Sequence, residues 1–253
     1  MKKSTQTIRY LRTDDGVQLA WAEAGTGPVV IKAANWLTHL EYEWESPVWR
    51  HWIHFFSDNF RYVRYDERGC GMTERNVGDL SLERWVGDVE DIVAAANLTE
   101  PFTMLGISQG GAICVAYAVK HPEKVSKLIL YGGYARGPFR RGDPDRANFY
   151  QAMIDLVRLE WGSDNPTYRQ VFTSRFIPGG TEEQLGWYND ICRRTLTADV
   201  AAKLLESRAM LDVTDLLADV QAPTLVLHAS GDVVVPITEG HILAAGVSCA
   251  QFV

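Results

Sequence analysis

The sequence has little cysteine and no cysteine pattern: its four, Cys70, Cys114, Cys192 and Cys249, form no CxxC pair and no Cys/His cluster. That excludes the usual zinc and redox motifs and gives no disulfide framework, so no metal site is expected and a reduced, cytoplasmic setting is. No apolar run reaches the roughly 18 residues of a membrane span. The start, MKKSTQTIRY, sets two lysines ahead of no apolar stretch, so neither a membrane anchor nor a secretory leader is expected. Positive charge is scarce as well, with 25 Lys and Arg against 32 Asp and Glu and a formal net charge of −7. A nucleic-acid partner needs clustered cations. The one basic cluster, RGPFRRGDPDR between Arg136 and Arg146, is broken by acids, Gly and Pro and reads as a solvated loop. Repeats and low-complexity tracts are absent, and nothing sets the oligomeric state.

What remains is a chain of 253 residues, 46% apolar and 23% charged, enough for one large domain or one domain with an inserted subdomain. TIRYLR and VQLAWAEA alternate around a DDG turn and suit an antiparallel hairpin. PVVIKAA, FRYVRYD, FTMLGIS, KLILYGG and PTLVLHAS are continuous apolar runs, as expected of strands buried on both faces of a parallel sheet. Helical patterns lie between them. One opens with Ser46 and Pro47, and another with Ser81, followed by an apolar face of Leu82, Trp85, Val89, Ile92 and Val93. Alternating strands and helices predict right-handed crossovers. After Gly133 roughly 90 residues pass before the next strand, too many for one crossover. Residues 134–215 are therefore expected to form a helical lid on a core of residues 1–133 and 216–253. Its Trp161, Phe172 and Trp187, with His39 from the loop after the third strand, are candidates for a substrate pocket.

The chemical signal is Gly106-Ile107-Ser108-Gln109-Gly110-Gly111, set between an apolar strand and a helix. In a G-x-S-x-G elbow the serine sits on a sharp turn that lifts its hydroxyl above the sheet. The same residues could open an ordinary helix, but the strand and helix flanks favour a nucleophile. Such elbows run in the order Ser, acid, His. Asp232, in SGDVVVP after the strand at 223–230, follows in that order. By itself it would read as a turn residue. Oxyanion donors are expected from the backbone N–H groups of Gln109 and of Trp36, in KAANWLTHLE. Of His39, His51, His54, His121, His228 and His241, none stands in a loop after a last strand, and the final AQFV reads as the beginning of that strand. Without a base a serine hydroxyl is a poor nucleophile, so weak turnover is expected. In RYDERGCGMT, Asp66 and Arg68 are expected to pair structurally.

GISQGG, YDERGCGMT and SGDVVVP together resemble the α/β-hydrolase superfamily over essentially the whole chain. QTIRYLRTDDGVQLAWAEAGTGP and KAANWLTHLEYEWESPVWRHW are similar to a narrower bacterial group of stand-alone esterases and of hydrolase-like domains fused to regulators or cyclases. The resemblance is greatest to integron-borne serine esterases similar to macrolide esterases, which open the lactone of tylosin-type antibiotics. It implies an α/β-hydrolase fold, mostly parallel, with helices on both faces, a helical lid and a truncated C-terminal strand and helix. It implies Ser108 as nucleophile, Asp232 as acid, amides of Trp36 and Gln109 as oxyanion donors, no metal or organic cofactor, and a small-molecule ester substrate. It also implies a histidine a short way past Val253. The usual HG of the oxyanion loop is here Ala34-Asn35. Two other readings stay open: a cofactor-free, haloperoxidase-like perhydrolase, and a non-catalytic ligand-sensing domain of a regulator.

Overall fold

The computed structural model describes residues 5–163 and 165–253, so Lys2 and Lys3, which bore on the leader expectation, lie outside the described residues. In chain order the elements are β1 (Thr7–Arg12), β2 (Gln18–Ala24), β3 (Val29–Lys32), α1 (Leu40–Trp44), α2 (Arg50–Asn59), β4 (Arg61–Tyr65), α3 (Leu82–Ala95), β5 (Phe102–Ile107), α4 (Gly110–Lys120) and β6 (Val125–Tyr131). Then follow α5 (Pro144–Glu160), α6 (Pro166–Phe176), α7 (Glu182–Thr195), α8 (Ala198–Ala209), β7 (Thr224–Leu227), α9 (Ile237–Gly246) and β8 (Ala250–Phe252).

The strands form one eight-stranded sheet in the order β1-β2-β4-β3-β5-β6-β7-β8. β1 and β2 pair antiparallel as a hairpin, β2 meets β4 antiparallel, and the remaining pairs are parallel. This is an α/β-hydrolase fold. Alternation along β5 explains why its run is apolar but for Thr103. Phe102 and Met104 join the core shared with α3 and α4, while Leu105 and Ile107 pack on the other face with Phe56 of α2. Each large side chain so buried contributes about 1.5–3 kcal/mol. Ser81 caps α3 by accepting from the Arg84 N–H at 3.2 Å, and Trp85, Val89, Ile92 and Val93 form its buried face.

The order reverses at β3, whose neighbours β4 and β5 carry the chain outward in opposite directions. Such a reversal leaves a crevice at the carboxyl ends of the strands. The loop after β3 and the turn after β5 both open into it. Between β6 and its neighbour β7 the chain makes the four helices α5 to α8.

Two expectations give way to the structure. Arg68 pairs with Asp88 at 2.5 Å and with Asp15 at 2.9 Å rather than with Asp66. Asp66 instead accepts from the N–H groups of Leu40 and Met72, at 3.2 and 2.9 Å, tying two loops together. The apolar spacing after Ser46 also overstated α2, which begins at Arg50. The Ser46 hydroxyl caps a preceding turn through Val48 and Trp49.

Candidate active site

Ser108 follows β5 with φ of 53°, in the left-handed region that costs a side chain energy. The surrounding glycines make that bend feasible. A Cβ on Gly106 would lie 2.7 Å from the Gly110 oxygen and the Gly111 Cα. One on Gly110 would lie 3.1 Å from the Ala34 oxygen, so α4 can press against the loop after β3 only because position 110 is bare. The Ser108 N–H is fixed to the Tyr131 oxygen at 3.1 Å, which leaves the hydroxyl half-buried in a cavity. Gln109 is the N-cap of α4, where N–H groups have no acceptor inside the helix and the helix dipole favours negative charge.

Asp232 closes a turn whose N–H donates to the Ala229 oxygen, and its Oδ1 accepts from Val234 and Val235, both at 2.8 Å. A Cβ on Gly132 would lie 3.5 Å from Asp232 Oδ2, and one on Gly133 the same distance from the Ser108 oxygen. The pair of glycines after β6 thus lets the turns after β5 and β7 converge. Ser108 and Asp232 line one cavity of 380 Å³, walled by Trp36, Trp49, Trp52, Phe176, Trp187 and Tyr188.

In the loop after β3, the buried Lys32 ammonium donates to the Asn35 side-chain oxygen. Burial pushes its pKa down, against the pull of Glu43. Leu37 takes φ of 61°, a second left-handed residue beside the site. The Trp36 N–H is already engaged. With its oxygen turned to the available donors, the Gln109 carboxamide accepts from Trp36 at 2.7 Å and from Arg208 Nη2 at 3.3 Å. An oxyanion that uses both expected N–H groups must share the Trp36 donor or displace that oxygen.

The expected pocket residues divide. Trp187 lines the outer cavity, and Phe172 lines a smaller inner one that also meets Ser108. Trp161 lines neither of them: it packs edge-on against Trp36 and Phe172 and donates its indole N–H to the Leu196 oxygen. His39 is likewise outside both linings and caps α1, its Nδ1 accepting from the Tyr42 N–H at 3.3 Å. Burial lowers its pKa, which suits that neutral, accepting ring.

The other histidines are also elsewhere. His51 and His54 lie on α2, and His121 bonds Glu90 at 2.6 Å. The His241 ring lies tilted against Phe252, 4.8 Å between centroids. The buried His228 bonds the Val235 oxygen at 3.0 Å and comes within 4.0 Å of Asp232 without lining the cavity. No histidine of the sequence therefore meets Ser108 in this structure.

Sequence reasoning missed the inner cavity. Its 60 Å³ is lined by Arg141, Arg175 and Arg208 with Tyr134 and Tyr150. Arg141 belongs to the cluster expected to be a solvated loop, yet its side chain is 13% exposed. Arg136 of the same cluster pairs with the buried Glu239 at 2.9 Å. The signal available was the mismatch of four cations with few acids around Pro138.

Among the described residues no group of His, Cys, Asp and Glu is arranged to hold a metal ion, and no helix is long and apolar enough to cross a membrane. The family described as "Serine aminopeptidase, S33" matches residues 51–252. Two similar proteins are the AB hydrolase superfamily protein YisY of Bacillus subtilis, 25% identical over 96% of this chain and 89% of its own, and 3-oxoadipate enol-lactonase 1 of Acinetobacter baylyi, 25% identical over 81% and 74%. Among solved structures, an esterase from Exiguobacterium antarcticum aligns with a TM-score of 0.81, at 20% identity, over 98% of this chain and 90% of its own.

Proposed function

The chain belongs to the α/β-hydrolase family described as Serine aminopeptidase, S33, and is a hydrolase of the carboxylic ester type; from that premise we propose that Ser108 is its nucleophile. The observation that carries this is the left-handed serine, braced by glycines, with its hydroxyl facing a cavity that Asp232 also lines.

In the proposed reaction Ser108 Oγ attacks the ester carbonyl. The resulting oxyanion is held by the N–H of Gln109, reinforced by the α4 dipole, and by that of Trp36 once the Gln109 oxygen yields. One such donor is worth about 3 kcal/mol of barrier. The carbon–oxygen bond to the leaving alcohol breaks, the alcohol takes up the proton, and an acyl-serine remains. Water then adds to the acyl carbon, the bond to Ser108 Oγ breaks, the carboxylic acid leaves and a proton from the water restores the serine hydroxyl. Asp232 is the carboxylate that orients a base and stabilises its cation. No histidine of the sequence reaches that place here, so turnover of the chain by itself is expected to be slow.

The finer substrate, a large tylosin-type macrolide lactone, draws on the resemblance and on the breadth of the tryptophan-walled outer cavity. The lactone half of that reading has further support in the enol-lactonase relative. The test is incubation with aryl esters and with a tylosin-type macrolide, read by mass spectrometry. Gain of one water on the macrolide supports the lactone reading. Aryl ester cleavage with an unchanged macrolide removes the finer reading, and cleavage undiminished in S108A removes the nucleophile.

A further inference from the structure

The inner cavity carries more positive charge than its neighbours neutralise. Four guanidinium groups, those of Arg136, Arg141, Arg175 and Arg208, lie around it or beside it, against two carboxylates, Glu67 and Glu239. Glu67 ion-pairs with Arg208, and Glu239 is 2.9 Å from Arg136 but 3.8 Å from Arg141. Arg175 meets no carboxylate among the described residues; its guanidinium lies 4.7 Å over the Phe149 ring. Arg208 is 2% exposed and lies 4.8 Å over the Trp36 ring, yet its Nε and Nη1 have no acceptor. None of the residues lining the cavity is acidic.

Buried cations without partners are costly, and unmade hydrogen bonds add to the cost. Burial indeed depresses the pKa of both Arg141 and Arg175. The Glu67–Arg208 pair is explained as a structural tie between the loop after β4 and α8. Arg141 is partly accounted for, since its Nε donates to the Arg136 oxygen at 2.9 Å and it lies 3.8 Å from Glu239 and 5.3 Å over the Tyr134 ring, but nothing within the fold gives such an account of Arg175 or of the two unpartnered nitrogens of Arg208. A bound anion would satisfy both at once, with Arg141 beside it as a further cation. The cavity holds little more than a small polar group, and it opens at Ser108 itself.

We propose that the inner cavity is the subsite for a carboxylate on the acyl part of the substrate, held by Arg141, Arg175 and the free nitrogens of Arg208 while Ser108 attacks a carbonyl a few bonds away. The substrate class is then a half-ester of a dicarboxylic acid, with its leaving alcohol in the wider outer cavity, a class that excludes a neutral macrolide lactone. This rests on Ser108 as the nucleophile.

The test compares 4-nitrophenyl hydrogen glutarate with 4-nitrophenyl valerate, a neutral ester of similar length, in wild type, R175Q and R175K. The half-ester should be preferred in wild type. R175Q should lower the ratio of the two rates about tenfold, and R175K should recover part of it. An equal fall for both esters, or an unchanged ratio, overturns the subsite. Calorimetric titration with glutarate separates this from failure of the nucleophile. Binding in S108A that is weakened in S108A/R175Q supports the subsite even if no ester turns over. Glutarate affinity that is the same in both, or undetectable in S108A, overturns it.

Discussion

The elbow and the helical insertion solve opposite problems. At the elbow almost every choice is local: Gly106, Ser108, Gly110 and Gly111 are within six residues, and contacts of under about 3 Å leave room for no other residue at Gly106. In α5 to α8 the local sequence fixes helices but not where they go. Gly186 in α7 has open space where its Cβ would be, and rings of the insertion serve different ends: Trp187 lines the outer cavity, while Trp161 lines neither cavity and packs on Trp36 and Phe172. In the proposed reaction the elbow supplies the nucleophile, and the insertion supplies part of the walls of both cavities beside it.

Substitutions can break that contrast. The largest effect is expected from S108A, which should bring imidazole-assisted aryl ester turnover down to background, read by release of the aryl alcohol. It should leave the thermal midpoint nearly unchanged. Next is G106A. Its methyl group meets backbone at 2.7 Å, and the strain should cost about 1–3 kcal/mol of stability, read by urea unfolding, together with most activity.

A smaller effect concerns pH. Burial raises Asp66 from 3.8 to about 7, outweighing the N–H groups of Met72 and Leu40. Between those values the folded state keeps a proton that the unfolded state releases, so stability falls as pH rises through that window and levels off above about 7. Asp88, raised to about 6 by burial despite Arg68, adds to the same slope. D66N keeps an oxygen for the two N–H donors and should flatten the decline, with its gain over wild type largest above pH 7, as unfolding titrations at several pH values would reveal. A steeper decline in D66N would contradict the assignment. The smallest effect is expected at the counterpart of Gly106 in the insertion: G186A should stabilise by about 0.4–1 kcal/mol, since an exposed helical glycine carries an entropic cost that alanine does not. If G106A and G186A behave alike, the contrast fails.

The same division governs what the sequence made legible. The strands were readable because burial on both faces demands continuous apolar runs, and the elbow because its geometry demands small residues at fixed spacing. Asp232 was reached through chain order, and the structure sets it in the cavity that Ser108 also lines. Arg141 was not legible. A charge in a Gly- and Pro-rich segment looks solvated until α5 and α8 are known to flank it. Trp161 and Phe172 share a helical subdomain and a similar pattern, yet only Phe172 reaches a cavity lining beside Ser108, because the facing surface comes from the distant Trp36. His39 looked like a pocket residue by its place after β3. The short helix that begins beside it takes the ring as a cap instead.

The Ser108 hydroxyl is the proposed nucleophile, and no histidine among the described residues lines the cavity beside it. The most direct measurement is the intact mass of the protein, with peptide mapping, after exposure to 4-nitrophenyl acetate with and without free imidazole. The account predicts an acetyl group on Ser108, formed at least about tenfold faster with imidazole and lost in S108A. An adduct that persists in S108A, or a Ser108 that stays unmodified at saturating imidazole, would contradict it.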